Sequence, residues 1–244
     1  MCPNWSSASS SSIYGSTSGG PSGENDVPRP ASPYAVTKLA EEQLCLAHAA
    51  RGDRPISVVA LRYFSVYGPR QRSDMFAHRA LKAALTGQPL RLYGDGHQRR
   101  DFTYIDDAVA ATAAAAAAPN AQGIINVGGG SNVSLLEVIN IVESLVGRDI
   151  QIHTDKALGG DVPVTRADPR RANEAPRLVS GSRSTRRPTR PNADYDAVRL
   201  RQRSRLTPFT TVLELLWRAP KKHGCKPTSA GSPSNSPQTA RSAP

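Results

Sequence analysis

Ser32-Pro33-Tyr34-Ala35-Val36-Thr37-Lys38-Leu39-Ala40 and, a turn later, Ile56-Ser57-Val58-Val59-Ala60-Leu61-Arg62-Tyr63-Phe64 are the two stretches on which the fold depends. In the first, Ala35, Leu39, Ala40, Leu44 and Ala47 recur at helical spacing, which predicts a helix over 33–51. Ser32 and Pro33 suit its N-cap and first turn. The second is a continuous apolar run with β-branched content, bounded by Pro55 and by Tyr67-Gly68-Pro69, and predicts a buried parallel strand. Further on, Ile124-Ile125-Asn126-Val127 reads as another core strand. After the Gly128-Gly129-Gly130 turn, Ser134 and Glu137 form a capping box that opens a helix to about Gly147, and residues 150–154 alternate like a strand. Strands separated by helices imply an α/β sheet. Residues 6–13 have the composition of a linker, but Tyr14-Gly15 and the Pro-rich turn to Pro33 predict a strand end followed by a loop.

Charge divides the chain. Residues 1–173 carry 17 Lys and Arg against 16 Asp and Glu, whereas residues 174–244 carry 14 against 4. The expected organisation is therefore one domain over 1–173 and a low-complexity basic tail over 174–244, read as disordered. Two explanations stand for the change at 173: a natural extension, or a shifted reading frame. Only residues 207–217, with Phe209, Val212, Leu213 and Leu216, have an amphipathic pattern there. The tail arginines (Arg183, Arg186, Arg187, Arg190) lie among Pro, Ser and Thr without aromatic residues, so no specific nucleic-acid partner is expected. Cys2, Cys45 and Cys225 are far apart, and neither a disulfide framework nor a metal site is expected. The Ala-rich run at 109–118 is about half the roughly 20 residues needed to span a bilayer, and residues 1–12 lack a signal peptide's pattern. No membrane association and a cytoplasmic location are expected.

Tyr34 and Lys38 are an i, i+4 pair, placed on one face of the predicted helix. A phenol is a poor base at neutral pH, and a nearby ammonium favours its phenolate. The spacing alone is common on exposed helices.

The neighbourhood is more specific. Ser32-Pro33-Tyr34-Ala35-Val36-Thr37-Lys38 resembles the active-site helix of the extended short-chain dehydrogenase/reductases, and Ser9-Ser10-Ser11-Ser12-Ile13-Tyr14-Gly15 their preceding catalytic strand end. The resemblance continues through Leu61-Arg62-Tyr63-Phe64-Ser65-Val66-Tyr67-Gly68-Pro69-Arg70-Gln71, then from Tyr93 through Arg100-Asp101-Phe102 to Asp107, then Asn126 to Gly130, covering about residues 9–172. It implies a partial Rossmann-like doubly wound parallel sheet, the C-terminal half of that fold, with a small α/β substrate-binding subdomain. The nearest resemblance is to NAD-dependent nucleotide-sugar epimerases.

That resemblance implies Ser10, Tyr34 and Lys38 as catalytic residues, Ser10 bonding the reacting sugar oxygen and Tyr34 acting as base. It places Tyr34, Lys38, Tyr63 and Phe64 against NAD, and Ser65 and Arg100 on the substrate diphosphate. Arg100 has a blander reading, a surface ion pair with Asp101. Where relatives usually carry a second diphosphate arginine, this chain has Leu158, which cannot supply that charge. Ser11 and Ser12, not an acid, follow Ser10, which favours C4 epimerisation of a UDP-hexose or UDP-hexuronate over dehydration. The Gly128–Gly130 run is not G-x-G-x-x-G, and the family's dinucleotide fingerprint belongs upstream of the tyrosine by 100 or so residues. The chain is expected to begin after it. The alternative to an enzyme is a non-catalytic remnant or partner-binding fragment. A homodimer through the Tyr34 helix is a further implication.

Overall fold

The computed structural model describes residues 4–179 apart from 17–19, 52, 54–55 and 119–120. β1 (Asn4–Ser10) runs through a 3-10 turn (Ser11–Tyr14) and a loop into α1 (Pro33–Ala49), then β2 (Ser57–Tyr63) and β3 (Ser65–Tyr67). α2 (Phe76–Thr86), β4 (Leu90–Tyr93), β5 (Arg99–Arg100) and β6 (Phe102–Tyr104) follow. The order ends with α3 (Ile105–Ala117), β7 (Gly123–Val127), β8 (Val133–Ser134), α4 (Leu135–Val146), β9 (Ile152–Asp155) and α5 (Arg170–Val179). Each expected element is present, including the strand hidden in the serine run. α5 continues across residue 173, where the domain boundary is expected, and residues 180–244, including the amphipathic segment at 207–217, lie outside the described residues.

β1, β2 and β7 form one parallel sheet in the order β1-β2-β7, with Ser9 opposite Arg62 and Arg62 opposite Asn126. Strand alternation sends successive residues to opposite faces. Val59, Leu61 and Val127 therefore pack with Ala108 of α3, joined by Ala111 and Ala115, and the small alanines let that helix lie close. Arg62, by contrast, bonds Glu42 of α1 on the other face. Helices thus cover both faces, the doubly wound arrangement expected of a Rossmann-like sheet.

α2, α4, β4 and β9 build a smaller unit around Ala80, Ala84, Leu90, Val138, Ile139 and Val142. Its α4 opens with the reciprocal Ser134–Glu137 capping box and stops at Gly147 in the left-handed region. Among the described residues no helix is long and apolar enough to cross a membrane.

Candidate active site

Ligands of open parallel sheets bind outside the carboxyl ends of the strands. At that rim Ser10 ends β1 and stands opposite Tyr63, which ends β2. Ser10 caps the turn that follows: its Oγ accepts from the backbone N–H of Ser12 at 3.2 Å and from the Ser12 hydroxyl at 3.0 Å. The chain then reverses at Gly15, with φ at 63°, where a Cβ would lie 1.9 Å from the Arg29 carbonyl oxygen. Only glycine fits that approach.

Ser32 starts α1 by accepting from the Ala35 N–H at 3.2 Å. One residue into the helix, Tyr34 is 57% exposed, and its hydroxyl meets no hydrogen-bonding partner among the described residues. The Lys38 ammonium donates to the Ala8 carbonyl at 2.9 Å and to Glu41 at 2.7 Å, tying α1 to β1 two residues before Ser10. This contact holds the Glu41 carboxyl below the usual carboxylate range. The helix therefore carries both residues, with the ammonium bonded to the strand and to Glu41. The loop after β3 reaches the same place: the Arg72 guanidinium, raised chiefly by its hydrogen bond to Asp74, also feels the Tyr34 phenol.

Under this rim lies a buried polar cluster that the motifs did not reveal. Arg62, 1% exposed, grips Glu42, 0% exposed, in a two-pronged contact of 2.6 and 2.9 Å. Arg62 also donates to the Tyr14 hydroxyl at 2.8 Å, Tyr14 donates to Asn126 at 2.7 Å, and Ser9 donates to Glu42 at 2.6 Å. Burial opposes the arginine's charge, but the Glu42 and Tyr14 contacts outweigh it and its pKa lies above the ordinary value. Burial likewise pushes the Tyr14 phenol up, against the pull of Arg62. Two signals were available: a lone arginine inside an apolar strand needs a partner, and Glu42 lies eight residues after Tyr34 and four after Lys38 on one helical stripe.

Of the residues expected at a cofactor, Tyr63 turns its hydroxyl to Thr112 of α3 at 2.5 Å, and Phe64 is buried with Ile13, Tyr14 and Ala167. Both side chains brace the rim. Ser65 and Arg100 line one cavity of about 400 Å³ that also includes Arg79, Arg91 and Tyr93. Arg100 does not pair with Asp101; its guanidinium meets Asp161, with Nη1 donating to the Arg99 carbonyl at 2.9 Å. Leu158, 56% exposed, also lines this cavity.

Asp101 is buried and turned away from the cavity. It accepts from the Ala167 N–H at 3.0 Å and the Ser131 N–H at 3.3 Å, while its carbonyl receives the Ser65 N–H at 3.0 Å. Burial pushes its carboxyl up to about 6, against the backbone N–H groups that favour the charge. The glycine run makes this clasp possible, since a Cβ on Gly129 would sit 2.1 Å from the Phe102 carbonyl oxygen. It is a close-packed turn, as expected, but it leads from β7 into the short strand β8 before α4, where the sequence predicts a direct strand-to-helix turn.

A parallel sheet covered on both faces, with a serine at its carboxyl rim, a Tyr-x-x-x-Lys helix beside it and an arginine-lined cavity beyond, defines a Rossmann-like α/β protein with a composite site. Residues 3–128 match the NAD dependent epimerase/dehydratase family, and the chain belongs to it. It is similar to the "Uncharacterized UDP-glucose epimerase YtcB" of Bacillus subtilis, 43% identical over 168 residues, covering 68% of this chain and 52% of the relative. It is also similar to the UDP-glucuronate 4-epimerase of Thermodesulfobacterium geofontis, 42% identical over 162 residues, covering 66% and 49%. Among solved structures, MoeE5 in complex with UDP-glucuronic acid and NAD superposes with a TM-score of 0.71 at 42% identity, covering 87% of this chain and 64% of that one. The UDP-glucuronic acid 4-epimerase of Bacillus cereus, in complex with UDP-glucuronic acid and NAD, gives 0.67 at 36%, covering 86% and 61%. The chain spans about half the length of the curated relatives it matches.

Proposed function

We propose that this chain carries the proton-transfer and substrate-binding part of an NAD-dependent C4 epimerase of a UDP-sugar, with Tyr34 as the base. The observation that carries the reading is the rim itself. Ser10 ends β1 with its oxygen accepting two hydrogen bonds and its own O–H free to donate to a sugar oxygen, while α1 is tied beside it through Lys38 and Ala8. In this reading Tyr34 removes the proton from the C4 hydroxyl, Ser10 orients that oxygen, and Arg100 and Ser65 hold the diphosphate in the 400 Å³ cavity.

The residues present fit the ribose end of NAD. An ammonium has three donors, and Lys38 uses two of them, leaving one free on the helix that also carries Tyr34. Tyr63 and Phe64 support that end from beneath. NAD supplies the hydride acceptor at the sugar carbon when bound. No G-x-G-x-x-G cradle for its phosphates occurs in the sequence. A second reading is a nucleotide-sugar-binding fragment without catalysis.

Proton NMR of the chain with NAD and either UDP-glucuronate or UDP-glucose separates the two. C4 interconversion that falls by about 10²–10⁴-fold in Tyr34→Phe is the expected result for the enzyme. Binding of the UDP-sugar without interconversion would establish the second reading, and interconversion indifferent to Tyr34 would sink the assignment of the base.

A further inference from the structure

Five ionised side chains line the cavity that holds Ser65: Asp74, Arg79, Arg91, Arg100 and Asp161. Four of them have a partner of opposite charge. Asp74 pairs with Arg72 at 2.7 Å, Arg91 with Asp155 at 2.8 Å, and Arg100 with Asp161. Arg79 differs. Its guanidinium donates to the backbone carbonyl of Arg91 and lies over the Tyr93 ring, 5.7 Å from its centroid, but meets no carboxylate among the described residues. A carbonyl dipole leaves the full charge in place, and a guanidinium has five N–H donors, most of them still available here. The ring and the carbonyl hold it in one orientation at the wall of a concave site, where an unbalanced positive charge raises the local concentration of anions. Leu158, also in the lining, contributes no charge.

We infer that Arg79 is a phosphate-binding residue of this cavity, meeting the diphosphate oxygens of the nucleotide. The inference rests on the nucleotide-sugar reading above. A planar fork of N–H donors suits phosphate oxygens. Arg100 shares its charge with Asp161, so Arg79 provides the cavity's surplus of positive charge. A diphosphate and the carboxylate of a hexuronate have the same chemistry toward a guanidinium, and comparison of UDP with UDP-glucuronate separates them.

Calorimetric titration of the 244-residue chain with UDP, with UDP-glucuronate and with uridine tests this, using the native protein, Arg79→Gln, Arg79→Lys and Arg100→Gln. Arg79→Gln is expected to weaken UDP by roughly tenfold or more while leaving uridine unchanged, the size of a charge-assisted contact. Arg79→Lys should recover part of the loss, and raised salt should shrink the difference. Arg79→Met, which keeps the stem against Tyr93, replaces Arg79→Gln if a thermal melt shows the latter unfolded. Native-like UDP binding by the charge-removing variant overturns the inference, as does equal weakening of UDP and uridine, which would mark Arg79 as a packing residue. Loss confined to UDP-glucuronate, with UDP retained, also overturns it in favour of the sugar carboxylate. If UDP binding depends on Arg100 but not on Arg79, the nucleotide reading stands and only this inference falls. If the native chain binds neither UDP nor uridine, both fall.

Discussion

Asp101 has no exposed surface, and its carboxyl is pushed up to about 6 by burial. Backbone N–H groups stabilise the charge without fully replacing water. The sign of the linkage follows from that. A free aspartate in the unfolded chain titrates near 4, so between about pH 4 and pH 6 the folded state holds a proton that the unfolded state has lost. Stability from this group is greatest below that window and falls as pH rises through it, by about 3 kcal/mol in all. Urea denaturation of the native chain and Asp101→Asn at pH 4 and pH 7 isolates the effect. The difference between the two proteins should move toward the native chain by most of that amount at the lower pH; a constant difference would mean that Asp101 ionises in the ordinary range. The aspartate was visible in the sequence as a neighbour of Arg100. Its role was not, because the groups that bind it, Ser131 and Ala167, are 30 and 66 residues away.

α1 is held by unlike contacts along its length: a serine cap at its start, Lys38 on the Ala8 carbonyl, and Glu42 on Arg62. The last is an ion pair with both side chains almost wholly enclosed. Removing one partner from such a pair costs more than removing both, since a single deletion leaves a buried charge without its counterion. Glu42→Gln is accordingly expected to lose about 3–5 kcal/mol in urea denaturation, and Glu42→Leu combined with Arg62→Met to recover much of it. A double variant no more stable than the single one would show that the pair is not the helix's main tie. The helix itself was readable from its apolar spacing and from Ser32 and Pro33. Which sheet face it covers was not, because alternation along β2 becomes meaningful only once Arg62 and Leu61 have found opposite partners.

At the scale of the molecule, helices cover the faces of the sheet, and among the described residues neither edge strand, β1 or β7, pairs with a further strand. Among the described residues β1 pairs only with β2, and Trp5 and Leu44 are 60% and 73% exposed. They border a largely apolar cavity of about 650 Å³ with Cys45, Ile56 and Val58. Parallel sheets are ordinarily enclosed, and an unpaired apolar edge is a template for self-association. Static light scattering of the purified chain should therefore show concentration-dependent association that Trp5→Lys reduces. Unchanged scattering in the variant would place the cause elsewhere.

By itself the sequence determined the elements and the family, because apolar periodicity, caps and turn glycines act over a few residues and the motifs keep their order along the chain. Tyr34, Lys38, Ser10 and Arg100 were nameable on that basis. Only the tertiary structure decided their partners. Lys38 goes to Ala8 and Glu41, Arg100 to Asp161, and Arg79 to the backbone of Arg91 beside Tyr93. Charge pairing depends on distance through space, and the chain brings these groups together only after the sheet and the smaller unit have packed.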